Sequence, residues 1–174
     1  YLGDPAQAEA VSQAIIRVRA ANPHVIVCCD PVLGDRDSGL YVSPGVPEAL
    51  ATHLIPIADI VTPNHFELEH LSGAAISSLG GAVTACQELR EQGSGSVVCT
   101  SLGREGALAG QIETLLVEPK GVWLGRPDAV ADAPHGTGDM LAALMLGHRL
   151  LDAPPDLALK TALASIWSVI RASV

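Results

Sequence analysis

The residues best suited to chemistry form the turn Gly136-Thr137-Gly138-Asp139, which follows Pro134-His135 and precedes an apolar run over 140–146. Glycines on either side of a threonine at the start of a helix let several backbone N–H groups point into one space, and that is an anion site. Asp139 would stand at its mouth, where a carboxylate can accept a proton from a hydroxyl that attacks a bound phosphoryl group. The same residues also suit an ordinary turn and helix cap, so the motif alone leaves both interpretations open.

Composition and charge limit the class of protein. The 174 residues predict a single domain over 1–174, and 48% hydrophobic with 17% charged residues argues against a disordered chain. A net charge of −9 without a cluster of Lys and Arg argues against a nucleic acid partner. The apolar runs are too short to span a membrane, no secretory signal is visible, and no C-x-x-C pair occurs among the four cysteines. These features predict a reduced, cytoplasmic protein with no membrane partner.

Strands and helices alternate along most of the sequence. The patterns predict helices over 6–21, 44–54, from 64 onward, 78–92, 138–151 and 155–172, and buried strands over 25–29, 57–61 and 96–100. The segment 30–44 is predicted to be a loop, and 106–123 to form antiparallel strands or hairpins. Such alternation predicts an α/β fold, with a largely parallel sheet and helices on both faces.

Polar side chains stand where the three predicted strands end. They are Asp30, then Thr62 with Asn64, then Thr100 with Ser101, and Glu67 follows Asn64 by one helical turn. Each has a plain structural interpretation: a turn, a helix cap, a solvated charge or a strand end. Because ligands of α/β sheets bind outside the carboxyl ends of the strands, these residues and the glycine turn are expected to share one site.

The chemistry of that set is phosphoryl transfer. Carboxylates at Asp30 and Glu67 suit Mg²⁺, directly or through water, while Asn64 and Thr100 can hold phosphate oxygens or water. The Gly136 to Gly138 amides would neutralise developing charge. Neither a G-x-x-x-x-G-K-[ST] loop nor a G-x-G-x-x-G turn is present, and His65 and His70 are five apart rather than four, which argues against a zinc helix.

Three motifs carry a resemblance to a known family. They are Asp30-Pro31-Val32-Leu33-Gly34-Asp35, then Thr62-Pro63-Asn64-His65-Phe66-Glu67 with Leu71-Ser72-Gly73, then Gly136-Thr137-Gly138-Asp139. Their order and spacing resemble those of the pyridoxal kinases, which belong to the ribokinase-like superfamily. Tyr1-Leu2-Gly3 and Tyr41-Val42-Ser43-Pro44-Gly45-Val46 are also similar to bacterial members of that family.

The resemblance implies a fold and an activity. The fold is a ribokinase-like three-layer sandwich, and the activity is ATP-dependent phosphorylation of the 5′-hydroxymethyl group of pyridoxal, with pyridoxine and pyridoxamine as further acceptors, in vitamin B6 salvage. Mg²⁺ and K⁺ are the implied cations, and a homodimer is implied for the full-length protein. The alternatives are a hydroxymethylpyrimidine (phosphate) kinase of thiamine synthesis, and a nucleotide-binding protein without turnover.

The resemblance also assigns roles to residues. Asp139 matches the catalytic base, Gly136, Thr137 and Gly138 match the anion hole, and Tyr1 matches a tyrosine that packs on the pyridoxal ring. A monovalent cation site is implied near Asp30, Thr62 and Thr100, and Asp30 and Glu67 match positions that contact the metal. The positions matching nucleotide contacts are Asp30, Asp35, Thr62, Asn64, Glu67, Thr100, Ser101, Arg126, Pro127, Asp128 and Ala129.

The beginning of the sequence departs from the family pattern. Complete pyridoxal kinases have further strand and helix units before the Tyr1 position, and the chain starts at Tyr1 without Met. The expectation is therefore a fragment that lacks part of the vitamin pocket, the lid and the dimer contact. A sheet without its first strands would expose an apolar edge, which predicts poor stability or aggregation.

Overall fold

The computed structural model describes residues 1–130, 133–134 and 136–173. Its helices are α1 Ala6–Ala21, α2 Val46–His53, α3 His65–Ser72, α4 Leu79–Glu91, α5 Thr137–Leu150 and α6 Pro155–Ser173, with a 3₁₀ turn at Ile55–Ile57. Its strands are β1 Cys28–Cys29, β2 Gly34–Asp35, β3 Gly39–Leu40, β4 Ile60–Val61, β5 Ser96–Cys99, β6 Thr114–Glu118 and β7 Gly121–Gly125. The alternation expected from the sequence is present up to β5.

The main sheet has the strand order β1-β4-β5-β6-β7 within the described residues. The pairs β1/β4 and β4/β5 are parallel, with Cys28 opposite Ile60 and Ile60 opposite Ser96. The pairs β5/β6 and β6/β7 are antiparallel, because β6 and β7 form a hairpin around Pro119-Lys120. Four of these five strands therefore run in one direction, and the carboxyl ends of β1, β4 and β5 meet at the same edge.

Two apolar cores lie on opposite faces of the sheet. Val61, Val97 and Leu115 pack with residues of α1 to α4 on one face. The residues beside them in sequence, Ile60, Val98 and Leu116, pack with α5 and α6 on the other. Successive side chains of a strand point to opposite faces, so each short apolar run contributes to both cores. The predicted three-layer arrangement with helices on both faces is confirmed.

The prediction of a plain loop over 30–44 is wrong. Two-residue strands β2 and β3 pair there as a small antiparallel hairpin, with Gly34 opposite Leu40. Gly39 takes the positive φ of +70° that the turn requires, a backbone conformation that glycine adopts without strain. The hairpin brings Asp35 to the carboxyl edge of the sheet.

Other boundaries differ by a few residues. The strand predicted over 57–61 is reduced to β4, because the chain makes a 3₁₀ turn around Pro56 just before it. The strand predicted over 25–29 is reduced to β1. The hairpin predicted within 106–123 is confirmed, but it begins at Thr114 and extends to Gly125.

Two further features were expected from composition. None of the helices in the described ranges is long and apolar enough to cross a membrane. The four cysteines, all within those ranges, are free thiols. Burial raises the pKa of Cys29 and of Cys86 to about 12, so neither thiol forms an effective nucleophile near neutral pH.

Candidate active site

A cavity of about 750 Å³ opens at the carboxyl edge of the sheet. It gathers the residues that the sequence placed at the strand ends together with the glycine turn. Those lining it are Asp30, Thr62, Asn64, Glu67, Thr100, Ser101, Gly136, Thr137, Gly138 and Asp139. The expectation that these separate signals share one place therefore holds in the structure.

Asp30 is held at the end of β1 by its neighbour on β4. The Thr62 hydroxyl donates a hydrogen bond of 2.7 Å to Asp30 Oδ1. Burial raises the pKa of Asp30, the bond from Thr62 lowers it, and the nearby Asp139 carboxylate raises it again, so that it lies above its ordinary value. Two carboxylates close together in a partly buried corner favour a cation or a proton between them.

Asn64 and Glu67 form the N-terminal cap of α3. The Asn64 side chain accepts a hydrogen bond of 2.9 Å from the Glu67 N–H, and Glu67 Oε2 accepts one of 2.8 Å from the Asn64 N–H. This reciprocal pair is a capping box. The structural interpretation of Asn64 as a cap is thus correct, and the cap itself lies in the wall of the cavity.

The same cap also fixes the segment that follows β1. Glu67 Oε1 accepts a 2.9 Å hydrogen bond from the Leu33 N–H, and Asn64 Nδ2 donates one of 2.8 Å to the Gly34 carbonyl. Burial raises the pKa of Glu67 to about 7, because removal from water outweighs the stabilising N–H groups of Asn64 and Leu33. Asn64 and Glu67 therefore join the start of α3 to the segment that follows β1.

The turn before α5 keeps its backbone donors available. Gly136 is the cap residue with a φ of +92°, and no side chain in the described part of the chain caps the helix. A Cβ added at Gly138 would meet nothing within 4 Å, so the space in front of this residue is open. Uncapped N–H groups at a helix N-terminus, facing open space, bind anions. His135, in the stretch noted from the sequence, lies outside the described residues.

The side-chain oxygens in the cavity suit a hard cation that is also coordinated by water and by substrate phosphates. Among the described residues, no three His, Cys, Asp or Glu side chains are gathered closely enough to hold a metal ion by themselves. Both Glu67 oxygens already accept N–H groups. Mg²⁺ is commonly held by one or two carboxylates together with water and substrate phosphates, and the donor set is suited to that mode.

Some predicted site residues lie elsewhere. Asp35, Pro127 and Asp128 line the cavity, but Tyr1, Arg126 and Ala129 are not among its lining residues. Tyr1 is exposed, and its hydroxyl lies 3.5 Å from the Tyr41 carbonyl oxygen. The ligand contacts predicted for Tyr1, Arg126 and Ala129 therefore have no support from the lining of the cavity.

Other lining residues escaped the sequence analysis. Apolar side chains form a wall at the β6 and β7 end, and they are Ile112, Val130, Leu163, Ile166, Trp167 and Ile170. Tyr41 lines the cavity too. The helix over 155–172 was predicted, but apolar residues that line a cavity have the same helical spacing as those that pack into a core.

Comparisons with known proteins show the family of the chain. The family model described as phosphomethylpyrimidine kinase matches residues 2–174. Pyridoxal kinase PdxY of Rubrobacter xylanophilus is 41% identical over 98% of this chain and 59% of its own length. Pyridoxal kinase PdxY of Deinococcus radiodurans is 42% identical, with the same shares covered.

Solved structures extend the likeness to the fold. Pyridoxal kinase from Leishmania donovani, in complex with ADP and pyridoxamine, superposes with a TM-score of 0.87 at 27% identity, covering 99% of this chain and 61% of that one. The ribokinase-like fold and the resemblance to pyridoxal kinases predicted from the sequence are confirmed. The chain spans about three-fifths of the length of the curated relatives that it matches. The chain belongs to the phosphomethylpyrimidine kinase family.

Proposed function

We propose that the protein containing this chain transfers the terminal phosphoryl group of ATP to the 5′-hydroxymethyl group of pyridoxal, and also to pyridoxine and pyridoxamine. One observation carries the proposal: the Asp139 carboxylate stands beside the uncapped amides of α5, in the cavity that gathers the polar strand ends. A base next to an anion site is the arrangement that transfer to a hydroxyl requires. The names of the curated relatives support pyridoxal as the acceptor.

In this proposal Asp139 orients the acceptor hydroxyl and takes its proton as the oxygen attacks phosphorus. The amides from Gly136 to Gly138 bind the oxygens of the transferred group and stabilise the charge that grows on them. Thr62, Asn64 and Thr100 hold phosphate oxygens or water along the strand ends. Thr100 is kept beside Asn64 by its backbone, whose N–H donates a hydrogen bond of 2.9 Å to the Pro63 carbonyl.

Two cations complete the proposed site. Mg²⁺ would be held near Asp30 and Glu67, through water and the nucleotide phosphates, and would supply charge neutralisation. Because both Glu67 oxygens accept N–H groups, its share in that contact is through water. K⁺ is proposed near Asp30, Thr62 and Thr100, whose oxygens suit a larger hard cation.

The two substrates are proposed to approach from opposite ends. Asp35, Ser101, Pro127, Asp128 and Ala129 would contact the nucleotide, and Tyr1 would cover the pyridoxal ring from its place beside Tyr41. We also propose a cytoplasmic homodimer for the full-length protein. The assignments of Asp35, Ser101, Pro127 and Asp128 rest on the motif resemblance and on the lining of the cavity, and the others rest on the resemblance alone.

Hydroxymethylpyrimidine (phosphate) kinase is the second candidate, because the matching family model carries the description of that activity. The anion site and the base would serve either acceptor. A nucleotide-binding protein without turnover is the remaining alternative. Assays with each acceptor, beside nucleotide binding without acceptor, separate the three.

The proposal is tested with Asp139→Asn in the full-length gene product. We expect kcat for pyridoxal-dependent ADP release to fall by roughly 10²-fold or more, the usual contribution of a general base, while ATP binding is retained. Asp156→Asn is the matched control, since Asp156 is also a first-turn carboxylate, on α6. A wild-type protein that binds ATP but phosphorylates only hydroxymethylpyrimidine would favour the second candidate. Unchanged turnover in Asp139→Asn would refute the assignment of the base.

A further inference from the structure

A buried carboxylate with two arginine partners lies just outside the cavity wall. Glu113, at the start of β6, is 2% exposed. Arg104 donates two hydrogen bonds to it, Nε to Oε2 at 2.7 Å and Nη2 to Oε1 at 2.8 Å. Arg126 donates a third, from Nε to Oε1 at 2.8 Å. No other carboxylate in the described ranges is shared by two arginines at such distances.

The charges of this cluster keep Glu113 ionised. Burial by itself would raise the pKa of Glu113, but the hydrogen bonds from Arg104 and Arg126 outweigh it and hold the pKa below its ordinary value. A bidentate guanidinium also fixes the orientation of the carboxylate. Arg104 and Glu113 form the buried part of the cluster, with 12% and 1% of their side chains exposed, whereas 41% of the Arg126 side chain is exposed.

The cluster of Glu113, Arg104 and Arg126 connects two segments that line the cavity. The Leu102 N–H donates a 3.0 Å hydrogen bond to the Glu113 carbonyl, which fixes the segment after β5 that contains Ser101. On the other side, the Ile112 N–H donates one of 3.0 Å to the Pro127 carbonyl, and Arg126 binds the Glu113 carboxylate. The Glu113 carboxylate thus links Arg104, in the segment that follows Ser101, to Arg126, which precedes Pro127. Ser101 and Pro127 both line the cavity.

Sheet order places this wall at one end of the cavity. Asp30 follows β1 at one edge of the main sheet, whereas Pro127 follows β7 at the other. The β7 end has an apolar wall that includes Leu163 and Trp167 of α6. An apolar wall of this kind suits the face of a planar nucleobase, whose phosphates would then be directed towards the anion site at α5.

We infer that Glu113 is a positioning residue for the nucleotide: through Arg126 and the backbone of Pro127 it holds the wall against which the base of ATP binds. The inference rests on the proposed function and deepens it. Glu113 does not touch the substrates. Its removal changes the affinity for ATP and leaves the affinity for the acceptor, at the β1 end, as it was.

The experiment uses the full-length protein with Arg126→Met, Arg126→Lys and Glu113→Gln. Arg126→Met keeps the Arg104–Glu113 pair and so preserves the fold if Glu113→Gln does not. The matched control is Glu118→Gln, on the same strand, whose Oε1 accepts only a Ser96 hydroxyl at 3.0 Å. The readouts are the Kd of ATP measured without acceptor, the KM values of ATP and pyridoxal, and the thermal midpoint.

We expect Arg126→Met and Glu113→Gln to weaken ATP binding by about tenfold, because the wall that receives the base is no longer held in place, with the KM of pyridoxal within about twofold of wild type. Arg126→Lys, which restores a donor, recovers part of the loss, and Glu118→Gln binds ATP normally. A Kd for ATP that is unchanged in folded Glu113→Gln overturns the inference, even if Arg126→Met binds ATP more weakly, because Arg126 could then contact the nucleotide directly. An equal rise in both KM values overturns it too. A wild-type protein that binds no ATP overturns the proposed function and this inference together.

Discussion

Gly136 and Gly138 stand two positions apart but meet different constraints. Gly136 has a φ of +92°, which a side chain tolerates poorly. Gly138 has ordinary helical geometry, and an added Cβ would touch no protein atom within 4 Å. Nothing inside the protein therefore requires glycine at 138. If the space in front of it receives a phosphoryl group, only the ligand requires it.

This difference predicts opposite effects of two alanine substitutions. Gly138→Ala should fold with unchanged or slightly higher stability, by up to about 1 kcal/mol, because alanine favours the helix. It should bind ATP at least about tenfold more weakly, because the methyl group enters the anion site. Gly136→Ala should instead lose about 1–2 kcal/mol of unfolding free energy. Urea unfolding and calorimetric titration with ATP measure both effects, and normal ATP binding by Gly138→Ala would contradict the assignment of the anion site.

Helices α3 and α4 both begin with a side-chain N-cap, but only the cap of α3 lies in the cavity. Asn64 caps α3 by accepting from the Glu67 N–H, and Ser78 caps α4 by accepting a 3.1 Å hydrogen bond from the Gly81 N–H. The Asn64 side chain also donates to the Gly34 carbonyl and lines the cavity. Ser78 is exposed and does not line the cavity. The two caps allow stability and function to be measured separately.

Asn64→Ala and Ser78→Ala should each lower the unfolding free energy by about 1 kcal/mol, the usual value of a helix cap. Only Asn64→Ala should also weaken turnover, because it releases the Gly34 segment beside Asp35. Denaturant midpoints and steady-state rates on the two variants provide the comparison. Equal rates in both variants would show that the α3 cap is purely structural.

The elements also show how far the sequence was informative. Short β-branched runs such as Val97-Val98 end in polar residues, so the strand ends and their common edge could be predicted. Two-residue strands such as β2 have no periodicity to recognise, and the hairpin was missed. Glu113 was missed because its partners, Arg104 and Arg126, meet it only through tertiary folding. A buried carboxylate has the same appearance in a sequence as a solvated one.

At the scale of the whole molecule, the sheet divides the apolar interior into two cores. Val97 and Val98 are adjacent, fully buried and directed into different cores. One core contains helices from the first half of the chain, and the other contains α5 and α6. The candidate active-site cavity takes residues from both halves, since Asp30 follows β1 and Asp139 belongs to α5.

Val97→Ala and Val98→Ala should therefore destabilise the full-length protein to a similar extent, each by about 2 kcal/mol for the lost methyl groups and the resulting cavity. Chemical denaturation with a single shared transition would be expected for both. If Val98→Ala were neutral while Val97→Ala was not, α5 and α6 would form a separately folding layer. Asp139, the proposed base, would then lie on a layer that can move relative to the rest of the site.

The charge of the cavity determines how ionic strength acts on it. Asp30, Asp35, Asp37, Glu67, Asp128 and Asp139 line it, and its described lining contains no Lys or Arg. A phosphate site built from basic side chains weakens as salt rises, whereas this one repels a polyanion and should bind ATP more tightly when salt screens the repulsion. Without a divalent cation to neutralise these carboxylates, the Kd of ATP is expected to fall between about 20 and 200 mM tetramethylammonium chloride, over which the screening length shortens to below roughly 10 Å. If the cavity binds nucleotide as proposed, an affinity measured in dilute buffer understates the affinity at physiological salt.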